Sequence, residues 1–449
     1  MIADASIGVP GWSRSRTAEP AATSAARAPI AEWSRAAARG GSYVKSRFTT
    51  LLGWLVAFWV FSGSAVITEP SPYELSFVLV LAVSLFAGSF AFHRSTLGLL
   101  VLWVTFIPFA FIAAFQTRFT PLTDALLFQV VTTFLFFTSY WVANYVSQEP
   151  HARMRLIVAA YTAAAVISAL LGTLGYLGVI PGHDLFTLYG RAKALFNDPN
   201  VFGPFLILPA MYALQRMLLA APKRAAWAGL IVMILAIGVF ASFSRGAWGH
   251  FAASALMVYL LCFVFVANAR EQVRMLILAL VGTMLLAVAI GGLLSIPSVQ
   301  RLFEVRATAQ NYDEGDSGRF GRQGYAFELA IAHPLGLGPL EFRNLRVKEE
   351  PHDSYVNVLH VYGWGGGLMF ILFIGTTIWR GLRFVVQGSP NRLLLIPLIS
   401  VFIPLSIEAA IIDLDHWRHF FLVGGLIWGV TAAYHKVGPG EETRLAALI

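Results

Sequence analysis

Apolar runs separated by short polar breaks fill most of this chain, and one polar interval is long. About twenty apolar residues of helix cross the hydrocarbon core of a bilayer. On that scale the pattern predicts twelve spans, at roughly 50–68, 74–92, 97–115, 124–146, 155–178, 200–219, 225–243, 248–267, 273–294, 355–379, 391–412 and 418–435. The long interval, 295–355, carries Arg301, Arg306, Arg319, Arg322, Arg343, Arg346 and Lys348. It ends in Pro351-His352-Asp353-Ser354-Tyr355, after which the chain is apolar again. Inside it, Pro297 to Gln310 and Gly318 to His333 read as helices. On the second, Arg319 and Arg322 share one face while Phe320, Phe327 and Ile331 share the opposite one. That spacing predicts an apolar face packed on the membrane domain and two guanidinium groups aimed inward.

Composition sharpens the class. Of 449 residues 57% are hydrophobic and 12% are charged, where a soluble domain runs nearer a quarter charged. The expectation is an all-α polytopic membrane protein. The single cysteine, Cys262, lies in an apolar run, so neither a disulfide nor a thiolate metal site can form within one chain. The formal net charge of +8 does not point to nucleic acid, because in a membrane protein the placement of charge outweighs its sum.

Placement can be tested against the span count. With the N-terminus inside, inside segments hold 20 of the 32 Lys and Arg but 7 of the 24 Asp and Glu. Both termini are then cytoplasmic and the long interval is outside. Residues 1–47, rich in Ala, Arg and Ser, read as a disordered cytoplasmic tail. A twelve-helix membrane domain at 48–436 includes the loop 295–355, and 437–449 form a C-terminal tail. Twelve basic residues on the outside run against the bias. Arg118 and Arg418 sit beside acidic neighbours, and the others gather at Arg191 and Lys193, at Arg245, and in the long loop.

Each of these places has a local reading. Gly190-Arg191 leads into Asn197-Asp198-Pro199-Asn200 at a helix start, where Asp198 or Asn197 can cap and Pro199 suits the first turn. Arg191 and Lys193 have no such structural task there and, with the helix's positive end, suit an anion. Ser244-Arg245-Gly246-Ala247 forms a tight outside turn that offers a second phosphate contact. His352 stands at the mouth of the tenth span, where Asp353 or Ser354 is the natural cap and the imidazole is left over. Asp413, Asp415, His416 and His419 lie between the last two spans. So short a turn is expected to supply carboxylates that pair with nearby arginines, and no metal is expected.

Taken together these stretches resemble the O-antigen ligase and polymerase superfamily. Gly190-Arg191 with Asn197-Asp198-Pro199-Asn200 is similar to its Gly-Arg followed by Asn-Pro-Asn. Ser244-Arg245-Gly246-Ala247 resembles its Ser-Arg-Gly-Ala turn. Ser317-Gly318-Arg319 resembles its late-loop arginine helix, and Pro351-His352-Asp353-Ser354-Tyr355 followed by Gly363-Trp364-Gly365-Gly366 its His-Asn-x-Tyr and Gly-x-x-Gly. Asp353 replaces the commoner Asn, and Gln323 stands where Trp is frequent.

The resemblance implies a GT-C-like glycosyltransferase of the bacterial inner membrane with a periplasmic active site. Its donor would be an undecaprenyl-diphosphate-linked glycan and its acceptor a lipid A–core sugar, transferred with inversion and without metal or other cofactor. Arg191, Arg245 and Arg319 would bind the diphosphate. His352, kept neutral among positive charges, would accept the acceptor hydroxyl's proton. A polymerase joining lipid-linked repeats is the alternative implied, and a lipid-linked glycan flippase is a third reading. The two similar halves common in transporters are not evident in the sequence.

Overall fold

Every apolar run forms helix, and the polar intervals set where the helices stop. The structure, a computed structural model, describes residues 47–67, 70–90, 93–307, 315, 318–345 and 348–433. The expected tails, apart from Arg47, and the loop residues Ser317 and Arg346 lie outside these. The helices are α1 (Arg47–Ser62), α2 (Pro72–Phe86), α3 (Leu97–Ala114), α4 (Leu122–Gln148) and α5 (Pro150–Tyr176). Next come α6 (Pro199–Phe205), α7 (Ile207–Leu219), α8 (Pro222–Ala241), α9 (Arg245–Phe265) and α10 (Ala269–Leu294). The long loop supplies α11 (Pro297–Ala307) and α12 (Arg319–Ala332), and α13 (Ser354–Val386), α14 (Arg392–Glu408) and α15 (Arg418–Ala432) complete the bundle.

Eight helical segments are long and apolar enough to cross a membrane: α3 with its preceding turn, α4, α5, α6 with α7, α8, α9, α10 and α13. The other apolar runs give shorter helices, α1, α2, α14 and α15. The sixth run is broken at Leu206, because Pro209 has no N–H to give the Phe205 carbonyl. The chain is thus an all-α polytopic protein.

α15 is buried on all sides from His419 to Ala432, as expected of a helix that is apolar around its circumference. Its Gly425 and Gly429 let the α4 backbone approach closely. A Cβ on Gly425 would meet the Ser139 carbonyl oxygen at 2.4 Å, and one on Gly429 that of Ala143 at 2.8 Å. This small-xxx-small contact substitutes close backbone packing for a hydrophobic drive that lipid does not provide. Trp428 Nε1 donates to Thr377 Oγ1 at 2.8 Å and joins α15 to α13.

Helix ends meet in register. Arg392 Nη1 donates to the Phe265 carbonyl at 2.7 Å, and Gln215 Nε2 to that of Leu393 at 2.9 Å. These contacts gather the ends of α7, α9 and α13 with the start of α14 on one side. The opposite ends collect the long loop. There Glu341 accepts from three successive backbone amides, Arg118, Phe119 and Thr120, at 2.9, 2.9 and 3.0 Å, and Arg418 pairs with Glu74 at 2.6 Å.

α13 is two helical stretches joined at Gly363, whose φ of 71° only glycine adopts readily. Into this break fits the Pro334–Pro339 segment. Leu337 N–H donates to the His360 carbonyl at 2.7 Å, and Trp364 N–H to that of Pro334 at 2.9 Å. The backbone groups freed by the kink are therefore satisfied by the loop, as a non-aqueous setting requires.

Candidate functional site

A two-residue hairpin presents Arg191. Strands Thr187–Leu188 and Arg191–Ala192 pair antiparallel across Tyr189 and Gly190, both at positive φ as in a type I′ turn. From there the Arg191 side chain runs into the protein. Its Nε donates to the Ser242 carbonyl at 2.8 Å and its Nη2 to Asn200 Oδ1 at 2.7 Å. The expectation that Arg191 lacks a structural task is corrected: it clamps the turn before Arg245 to the start of α6. Lys193 is likewise engaged, donating to the Phe196 carbonyl at 3.1 Å. Asp198 caps α6 through the Asn200 amide at 2.7 Å with Pro199 in the first turn, as the sequence indicated.

Arg245 opens α9, capped by Ser244. A Cβ on Gly246 would lie 2.5 Å from Glu408 Oε1, so glycine is what admits the last turn of α14 against this turn. Glu408 Oε2 lies 2.9 Å from His250 Nδ1.

α11 brings a further guanidinium that the sequence reading did not single out. Phe303 stacks on Trp248 at 5.6 Å and 27°, within an apolar cluster with Phe240, Phe243 and Val299. Arg306, one turn on, is thereby placed within electrostatic reach of Arg245 and Arg191. Burial and Arg306 push the Arg191 guanidinium down to about 10. Burial and Arg245 lower Arg306 in the same way. Arginine titrates only above pH 12 in water; burial is the larger cause of both depressions and the neighbouring guanidinium the smaller. The spacing of Phe303 to Arg306 was legible in sequence; its target on α9 was not.

The His352 loop reaches the same end through α14. Ser354 N–H donates to the Ala409 carbonyl at 2.7 Å, one residue beyond the Glu408 that touches Gly246. Asp353 caps α13 by accepting from the amides of Tyr355 and Val356 at 2.9 and 3.2 Å. His352 itself has a left-handed backbone, φ 55°. Gln323 Nε2 holds its carbonyl at 3.1 Å, which gives the residue standing in the frequent Trp position a definite task. His352 Nδ1 lies 3.0 Å from Asp413 Oδ2. Five described non-glycine residues have positive φ: Tyr189, Ala194, Phe243, Leu340 and His352. All lie in the polar segments at this one end. Such strain persists only where the surroundings enforce it, and it concentrates at working sites.

Two expectations are corrected here. Asp413 pairs with His352, and Asp415 with Tyr362 at 2.7 Å and His416 at 3.5 Å; among the described residues neither carboxylate pairs with an arginine. The nearest fixed charge to His352 is therefore negative. The second concerns α12. Arg322 is fully buried and paired with Glu349, while Phe320, Phe327 and Ile331 are exposed. The expected burial of the apolar face is corrected: the buried side of the helix carries Arg322 and the small residues Ala326 and Ala330. Arg319 opens this helix, half-buried.

The carboxylates share out protons unevenly. Burial raises Asp413, and Asp415 adds to that while His352 opposes it. Burial opposes ionisation of Asp415 too, but His416 and Tyr362 outweigh it and hold its carboxyl below the usual value. Glu350 is pushed up to about 7, by burial first and Asp413 next, against the pull of Arg343. A carboxyl raised above its unfolded value of about 4.3 lends the fold stability that is complete below that pH and lost as pH rises through 7. Glu350→Gln is accordingly expected to raise the unfolding temperature of the purified protein at pH 8 and to change little at pH 4.5. An unchanged or lowered value at pH 8 contradicts this. Among the described residues no group of three or more His, Cys, Asp or Glu is arranged to hold a metal ion.

The fold and this polar end define a multi-pass membrane protein with convergent basic groups and a His–Asp pair at one face. Residues 211–371 match the model of a family described as O-Antigen ligase. This match supports membership of the chain in the O-antigen ligase and polymerase superfamily. The matched region contains Arg245, Arg306, Arg319 and His352; Arg191 and Asp413 lie outside it. No curated protein matches the chain in a sequence search.

Proposed function

We propose that the protein is an inverting, metal-independent O-antigen ligase, joining a glycan from undecaprenyl diphosphate to a lipid A–core sugar at the periplasmic face of the inner membrane. In this reading α1, α2, α14 and α15 complete twelve crossings, both termini are cytoplasmic, and the loop 295–355 belongs to the membrane domain. The observation that carries it is the gathering of Arg191, Arg245 and Arg306 at the end of the bundle where His352 and Asp413 form their pair. Guanidinium forks neutralise a diphosphate leaving group without a metal, and Arg319 at the start of α12 adds a further fork.

The chemistry is a single displacement. The acceptor hydroxyl oxygen attacks the anomeric carbon as that carbon's bond to the diphosphate oxygen breaks, and the configuration inverts. With Nδ1–H donating to Asp413, the His352 Nε2 is the acceptor that takes the hydroxyl proton. The charge leaving on undecaprenyl diphosphate is held by the arginines.

Purified protein supplied with lipid-linked glycan and lipid A–core is expected to form glycan-bearing lipid A–core, in EDTA as well as without it. Products that only lengthen the lipid-linked glycan would assign a polymerase instead. Loss of transfer in EDTA, restored by a divalent cation, would overturn the metal-free mechanism and bring Asp413 and Asp415 forward as ligands.

A further inference from the structure

The orientation of α12 leaves four large apolar side chains outside the fold. Phe320, Phe327, Ile331 and Leu335 are 60, 51, 56 and 57% exposed, and the first three recur on one stripe of the helix. Its other face is locked by the buried Arg322 and by Ala326 and Ala330, so no rotation of the helix can bury this stripe. Water alone is a poor neighbour for so contiguous an apolar face.

The level of the stripe is set by two contacts. Trp364 Nε1 donates to the Ala330 carbonyl at 2.7 Å, one residue before Ile331. Gly336 and Gly338 lie against Ala113 and Thr117, where α3 ends. Both α3 and α13 belong to segments able to cross a membrane. Below Trp364 the exposed positions continue down α13 as Leu368 and Leu372, one turn apart each time. The stripe on α12 is thus continuous with the lipid-facing side of α13, at the depth where aromatic side chains favour the interface.

We propose that α12 is a membrane-surface helix whose Phe320, Phe327, Ile331 and Leu335 enter the acyl region of the leaflet at which α3 ends. The occupant of this face is lipid. Seated so, α12 carries Arg319 at the level of lipid phosphates and Gln323 against the His352 loop. The inference rests on membrane placement alone and stands or falls separately from the transfer reaction.

Single cysteines at Phe320, Phe327 and Ile331, carrying a nitroxide, would test this in proteoliposomes of phosphatidylethanolamine and phosphatidylglycerol. Cys262 is fully buried and can stay. Leu368→Cys serves as the lipid reference and Lys348→Cys as the aqueous one. Relaxation by oxygen is expected to exceed relaxation by a water-soluble nickel complex at all three α12 sites, as at Leu368. Nickel-dominated relaxation, as at Lys348, would place the stripe in water and overturn the proposal. Low access to both agents with spin–spin broadening would identify a second copy of the chain as the occupant and overturn it equally. Leu335→Cys, on the same surface, replaces any variant that fails to reconstitute.

Discussion

His352→Ala is expected to lower the rate of glycan transfer by about 10²–10⁴-fold, the usual worth of a positioned general base. Expression and donor binding should be retained, because the arginines that would hold the diphosphate sit on other segments. The structure adds a second arm through Asp413, 3.0 Å from Nδ1. Asp413→Asn keeps an oxygen near that distance, but its amide can also donate and so no longer selects the tautomer with Nε2 free. It should reduce turnover roughly 10²-fold or more with little change in donor affinity, following the logic of a carboxylate that orients an imidazole. His352→Gln can still hydrogen-bond at similar reach but cannot take a proton near neutral pH. If the glutamine variant turns over like wild type, His352 is a positioning group and the base lies elsewhere. Glu350, carrying a proton up to about pH 7 beside the pair, would be the next candidate.

Sequence periodicity gave away the helices because a bilayer imposes a length and an apolarity that few other settings require. Each apolar run became helix, and the loop helices over Pro297–Ala307 and Arg319–Ala332 began within a residue of where they were expected. Capping at Asp198 and Asp353 was legible for a local reason, since the cap and its amide are two or three residues apart. Contacts between distant segments were not. Nothing within ten residues of Arg191 announces Ser242, and nothing near Gly246 announces Glu408. The turn of α12 went the wrong way because amphipathicity has two solutions beside a membrane. The rule that apolar faces pack inward assumes water outside. Where lipid lies outside, a paired guanidinium can be the buried side and phenylalanine the exposed one. The Asp413–His352 pair was not legible because its members lie 61 positions apart, on loops that only the packing of α13 and α14 brings together.

Arg191→Ala, Arg245→Ala and Arg319→Ala are each expected to cut turnover about 10²–10³-fold, as for removing one preorganised donor from a developing charge. The structure makes their side effects unequal. Arg191 holds Ser242 and Asn200 as well, and each charge-assisted bond is worth about 1.5–3 kcal/mol. Arg191→Ala should therefore also lower the unfolding temperature. Lysine at each site should recover only part of the loss, because an ammonium is a point charge in place of a planar fork. Arg306→Ala belongs in the same series. Its guanidinium lies within electrostatic reach of Arg245 and Arg191, so its removal should weaken donor binding. Arg322, buried and paired with Glu349, should fail by misfolding and is no control for Arg319. Full activity of all three lysine variants would show that charge alone suffices and that bidentate recognition of the diphosphate is wrong. An Arg306→Ala protein that binds donor as wild type does would remove α11 from the site.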